Sequence, residues 1–153
     1  LKYWVSRCTP TSLPKRSDIS PADLVFCLGH SSIIERRLSG EFVFRLTASS
    51  LRDILGAECR GKLVDDECNE DDAWITALSE AIQTRSPVFG LSPLGHRRVH
   101  HWMRLPLATM DSGRQPVLCY DRIHFEKEGE LPRAATMFVS ARNEFSQREL
   151  QPS

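Results

Sequence analysis

Two long alternating runs in the C-terminal half constrain this chain more than any other feature. Val99, His101, Met103, Leu105 and Leu107 alternate with His100, Trp102 and Arg104. After the polar stretch MDSGRQP, Val117, Cys119, Asp121, Ile123 and Phe125 alternate with Leu118, Tyr120, Arg122 and His124. A period of two sends successive side chains to opposite faces of a strand. Two such runs joined by a tight polar turn predict an antiparallel hairpin, with strands over 98–108 and 115–125. SPVFGLSP adds a strand at 87–94, and LGHRR turns it into the next.

The N-terminal half supplies a second hairpin. Ile33 and Ile34 lead a strand at 31–37, LSGE turns, and Phe42, Phe44 and Leu46 line one face of a strand at 42–47. Helices fall between the hairpins. Trp74, Ile75, Leu78 and Ile82 recur at helical spacing, which predicts the longest helix over 70–85. TASSLRDILG reads as a short helix ended by Gly56. SPADLVFCLG carries Ser20 as N-cap, Pro21 at the first helical position and Gly29 after the end, so it predicts a helix burying Leu24, Val25 and Leu28. Residues 1–13, with Tyr3, Trp4 and Val5, form an N-terminal helix or cap. The expected architecture is α+β: five antiparallel strands with helices on one face and an N-terminal helix. Residues 1–125 make one domain, and the polar residues 126–153 follow as a tail. A parallel crossover fold needs βαβ alternation, which the pattern lacks.

Composition narrows the partners. Lys plus Arg number 20 and Asp plus Glu number 20, so the formal net charge is zero. A neutral chain has no global field to draw it to nucleic acid or an anionic membrane, and neither is expected as a partner. No apolar run is long enough to span a bilayer, and LKYWVSRCTP has no signal-like apolar core. The five cysteines are odd in number and form no CxxC, which reads as reduced thiols and a cytoplasmic location.

Several short motifs resemble a known family. They are Trp4; Pro14 with the run Arg16–Pro21 (RSDISP); Phe44–Leu46 (FRL); the pair Gly56 and Gly61; and Leu105-Pro106-Leu107. Together they resemble the short single-domain PAS proteins of proteobacteria, over roughly Leu1 to His124. Thr47-Ala48-Ser49 departs from that pattern, where the family usually has a glycine. The resemblance implies a five-stranded sheet whose helices enclose a pocket for a small ligand or cofactor. It also implies an outer sheet face and an N-terminal helix used for homodimers or a signalling partner. The chain carries no kinase, cyclase or DNA-binding segment, so its output would pass through a partner protein.

Within that frame, ligand-pocket lining is expected from Leu46, Leu51, Ile54, Trp74, Leu78 and Met103, each on the apolar side of its element, with His101 as the polar contact. Trp102 and Tyr120 are expected on one sheet face with His100, Arg104, Leu118 and Arg122. The first helix would cover that face through Tyr3 and Trp4, and the four aromatic residues would form the interface.

Other chemistries find less support. Cys59-Arg60 occupies the place of the cysteine in the light-sensing LOV motif, but Glu58 stands where an amide is expected and the flavin-binding Asn pair is missing, so flavin is disfavoured. Haem is disfavoured because 71–85 contains no histidine. Among His96, His100 and His101, the last two point to opposite faces of a strand, so a tetrahedral metal site is disfavoured too. The block DDECNEDD has neither the glycine turn nor the closing Glu of a calcium loop. No nucleophile elbow is present, and Gly61-Lys62 is followed by Leu63 rather than a Mg²⁺-binding hydroxyl. Two alternatives to a sensor stay open: a cone-shaped enzyme of the ketosteroid-isomerase type with Asp121 as its acid or base, and an interaction module with a filled core and no ligand.

Overall fold

The computed structural model describes residues 1–68, 73–127 and 136–139. Its strands are β1 (Ser31–Arg36), β2 (Phe42–Leu46), β3 (Val88–Gly95), β4 (Arg98–Pro106), β5 (Gln115–Phe125) and β6 (Thr136–Val139). The helices are α1 (Lys2–Arg7), α2 (Ser49–Leu55), α3 (Val64–Glu67) and α4 (Ala73–Thr84). One antiparallel sheet runs in the order β2-β1-β5-β4-β3-β6. The five expected strands and the long helix are present, and the fold is α+β. The sixth strand lies inside the segment expected to be a tail. It pairs with the edge of β3, Val88 opposite Val139 through Leu91 opposite Thr136.

The C-terminal hairpin has the expected register, from Arg98 opposite Phe125 to Pro106 opposite Val117. Its connection turns at Gly113, whose φ of +81° suits a residue without Cβ, and the Gly113 N–H donates to Met110 O at 2.8 Å. In the first hairpin the register shifts between Ile33 and Ile34: Phe44 faces Ile34 while Leu46 faces Ile33. Arg45 is the extra residue. A bulge of this kind reverses the faces beyond it. Phe42 and Phe44 therefore point to one side of the sheet and Leu46 to the other.

Both faces are covered. The inner face packs Ile34, Phe42, Phe44, Val117 and Cys119 against Leu51 of α2, Val64 of α3 and Trp74 and Leu78 of α4. Ala77 and Ala81 of α4 rest on Val88 and Trp102. The outer face packs Ile33, Leu105 and Leu118 beneath Trp4 of α1 and beneath Leu13 and Ile19. Trp4 fixes this cover: it is buried, and its Nε1–H donates to Pro106 O at 2.9 Å. α2 stops as expected at Gly56, whose left-handed φ of +78° lets its N–H return to Arg52 O.

The segment predicted as a helix over Ser20 to Gly29 instead forms two 3-10 turns, Pro21–Leu24 and Leu28–His30. Leu24 packs partly against the outer cluster, but Val25, Phe26 and Leu28 face solvent. A continuous helix would run across the entry to β1. The tighter turns instead deliver Ser31 directly into pairing with Tyr120. No helix among the described residues is long and apolar enough to cross a membrane.

Candidate functional site

The site is built from one parity of β4 and one of β5. His100, Trp102 and Arg104 share the inner face of β4, and Trp102 pairs with Asp121 of β5. That register sets Asp121 between the two basic side chains that flank Trp102. Arg104 Nη2–H donates to Asp121 Oδ1 at 2.8 Å, and His100 Nε2 lies 2.7 Å from the same oxygen. His100, Arg104 and Asp121 are all at most 2% exposed.

Two indoles close the cluster. The Arg104 guanidinium carbon lies 4.5 Å from the centre of the Trp74 ring and 5.3 Å from that of Trp102. A desolvated cation on aromatic faces gains about 2 kcal/mol from the ring quadrupoles. Trp74 also tilts against His100 with ring centres 5.6 Å apart and meets Phe44 edge-on at 6.1 Å. Trp102 Nε1–H is satisfied by Ser92 Oγ at 3.1 Å. Arg104 Nη1 reaches Met103 O at 3.1 Å. Two buried polar atoms of this cluster lack partners among the described residues: Arg104 Nε and Asp121 Oδ2.

Burial alone would raise the Asp121 carboxyl. The charge of Arg104 and the hydrogen bonds from His100 and Arg104 outweigh burial and hold it below the ordinary carboxylate range. Asp121 is therefore ionised, and His100 Nε2 carries the proton that it donates. Cys119, beside Arg104, has its thiol pushed up to about 12, chiefly by burial. The space bounded by Ala73, Trp74, His100, Trp102 and Arg104 has no room for a water molecule.

The expected pocket residues divide between the two faces. Leu51, Trp74 and Leu78 are buried together on the inner face, and Ile54 packs against them. Leu46, His101 and Met103 lie on the outer side. Leu46 is there because of the bulge, and it is 40% exposed. Met103 faces Tyr120 across the strand pair and joins the cluster under α1. The His101 ring lies 4.3 Å from that of His124, and burial and the neighbouring His124 lower its pKa. The expected grouping of Trp102 with Tyr120 fails for the same reason. In this register Trp102 faces Asp121, so Trp102, His100 and Arg104 lie inward while Tyr120 and Leu118 lie outward.

Tyr3, Trp4 and Tyr120 do meet on the outer face, where with Met103 they border a partly open cavity of about 250 Å³. Trp4 is core there rather than exposed surface. The Tyr3 hydroxyl is occupied as well: it accepts the Ser20 N–H at 2.9 Å and donates toward Asp18 O or Asp23 Oδ2. The residue pair that sequence reasoning missed is Arg104 with His100. The available signal was their shared parity with Trp102, a charged residue flanked by apolar ones on a strand whose two faces both read as buried.

Cys59 sits in the inner apolar cluster, 1% exposed, with its thiol pushed up to about 11 by burial and the nearby charges of Glu58 and Glu67. Among the described residues no group of three or more His, Cys, Asp or Glu side chains is placed to hold a metal.

Comparison with known proteins adds one positive finding. The family model described as PAS domain matches residues 1–86. No curated protein and no solved structure matches the chain. The matched span takes in the N-terminal cover, the first hairpin and, among the described residues, every helix that packs on the inner face. It amounts to more than half of the 153 residues, and the chain belongs to the PAS domain family.

Proposed function

We propose that this PAS domain is a regulatory module that works by protein contact, with its own side chains occupying the space where a ligand would sit. The observation that carries this reading is the sealed inner face. Arg104 lies between Trp74 and Trp102, tied to Asp121, with no room for water among these residues and His100. Asp121 as an acid or base in the isomerase manner draws no support from this geometry. It is fully buried and ion-paired, so a substrate has no path to its free oxygen without displacing an indole.

The contact surface we assign is the strip Val25, Phe26 and Leu28. Phe26 is 100% exposed and Val25 59%. Neighbouring apolar side chains left in water mark association surfaces more often than chance. The expected occupant is a second copy of the chain, in a bacterial, cytoplasmic signalling setting implied by the family resemblance. Sedimentation equilibrium of the full chain beside Phe26→Asp tests it. The variant should weaken self-association by more than about tenfold, as a central aromatic contact does, with an unchanged melting temperature. A wild-type chain that stays monomeric, or a variant that associates equally well, overturns this assignment.

A second reading, small-ligand sensing at the inner face, is favoured by the two buried atoms without partners, Arg104 Nε and Asp121 Oδ2. Each costs about 1–3 kcal/mol if nothing ever pairs with it. One edge of a small polar molecule bearing a donor and an acceptor would satisfy both, provided Trp74 moves aside.

A further inference from the structure

The outer face of the sheet carries an unfilled space, on the side opposite α2, α3 and α4. α1 and the turn at Pro21–Leu24 roof the outer face of β4 and β5 without filling it, leaving the cavity of about 250 Å³. Tyr3 and Trp4 form its roof, Met103 and Tyr120 its floor, and Leu24 and Cys27 one end. We propose that this cavity is a binding site for a neutral aromatic molecule of one or two rings bearing a single hydrogen-bonding group. The proposal goes beyond the contact reading and does not depend on it.

Size, polarity and shape each point to that class. A dry cavity of roughly 150 Å³ already binds benzene, whereas drug-sized ligands need roughly 300 Å³ or more. About 250 Å³ therefore suits one or two rings. No charged side chain lines the wall. The charged group at the wall is the Leu1 α-amino group, whose pKa burial lowers toward the neutral amine, so an ionic ligand would give up its hydration for little counter-charge. Three of the wall residues are aromatic and a fourth is a thioether, so ring edges and faces and a polarisable sulfur are offered to a flat guest.

The polar equipment is small. Trp4 Nε1–H is spent on Pro106 O, the Tyr3 hydroxyl on Ser20 and its acceptors, and the Ser31 hydroxyl on Cys27 O at 2.8 Å. The Tyr120 hydroxyl makes no hydrogen bond among the described residues and is the handle left for the guest. Beside it, His30 packs on the Tyr120 ring at 5.6 Å with a buried Nδ1 that also has no partner among the described residues.

The position gives occupancy a route to the rest of the molecule. Met103 and Tyr120 alternate along their strands with Trp102, Arg104 and Asp121, so a guest presses on the reverse side of the strands that hold the buried ion pair. Leu24 and Cys27 flank the exposed Val25 and Phe26, so the same guest touches the base of that strip.

The test uses the full chain with ¹³C-methyl methionine and 2-naphthol as the probe. The three methionines report separately, because only Met103 lines the cavity, while Met110 lies at a surface depression and Met137 on β6. The Met103 methyl should shift saturably while Met110 and Met137 stay still. Cys27→Trp, which fills one end of the cavity, should abolish the shift. Tyr120→Phe should weaken 2-naphthol about three- to tenfold, the effect of one neutral hydrogen bond, and leave naphthalene binding unchanged. The proposal is overturned if Met103 shows no saturable shift, if all three methyls move together, or if Cys27→Trp binds as wild type does. Should Cys27→Trp fail to fold, the Tyr120→Phe comparison decides alone, and equal effects on both probes overturn the site.

Discussion

Asp121 accepts two hydrogen bonds on one oxygen and none on the other, at a position with no exposure to water. Its partners therefore matter more than the pair itself. Asp121→Leu strands the Arg104 charge and should cost about 3–5 kcal/mol in urea unfolding. Asp121→Leu combined with Arg104→Met removes both charges and should be neutral, or more stable than wild type by about 1–4 kcal/mol. A double variant as unstable as the single one would show that packing, not charge, sets the cost. The carboxyl's folded pKa is depressed, so its contribution is present above the unfolded value, about 4. That contribution is lost as pH falls through the lower folded value. Acid titration of the melting temperature should therefore show a shallower decline in the double variant than in wild type. Thiol reactivity follows from the same burial: Cys59 and Cys119, raised to about 11 and about 12, should resist iodoacetamide near neutral pH until the chain unfolds, while the half-exposed Cys8 and Cys27 react first.

At the scale of elements, α1 is six residues long, too short to persist without its contacts. Trp4 ties it to Pro106 O and covers Leu105 and Leu118. Trp4→Ala should cost about 3–5 kcal/mol, measured by urea melting, and removing residues 1–13 should destabilise the whole sheet rather than only its association. A truncated chain that melts like the full one would return α1 to the role of a detachable interface. The strands were legible because alternation is a local property, and all five expected ones lie within about three residues of the reading, the usual boundary error. Which face each parity takes was not legible. His101, Met103 and Leu105 look like core beside His100, Trp102 and Arg104, yet this sheet is covered on both sides, and its inner face is held by an ion pair between indoles. The bulge at Arg45 and the short edge strand β6 leave no periodic signal at all. The 3-10 turns at Pro21–Leu24 and Leu28–His30 carry helix-start chemistry, but pairing of Ser31 with Tyr120 overrides it.

At the scale of the whole molecule, zero net charge and an exposed apolar strip suit the proposed association through burial rather than through long-range attraction. The packed inner face and the strip around Phe26 make one claim together: the domain communicates by contact and keeps its core closed. Native mass spectrometry of the freshly purified full chain reads both parts in one spectrum. The expected result is a series at twice the 17.4 kDa chain mass, with no added mass retained at one per chain. A weakly held aromatic at the outer cavity would be lost on buffer exchange and leave that spectrum unchanged. A single chain carrying one tightly retained small molecule that Cys27→Trp does not displace would contradict the claim, because it would exclude the outer cavity and put the ligand at the inner face, where Trp74, Trp102 and Arg104 now meet.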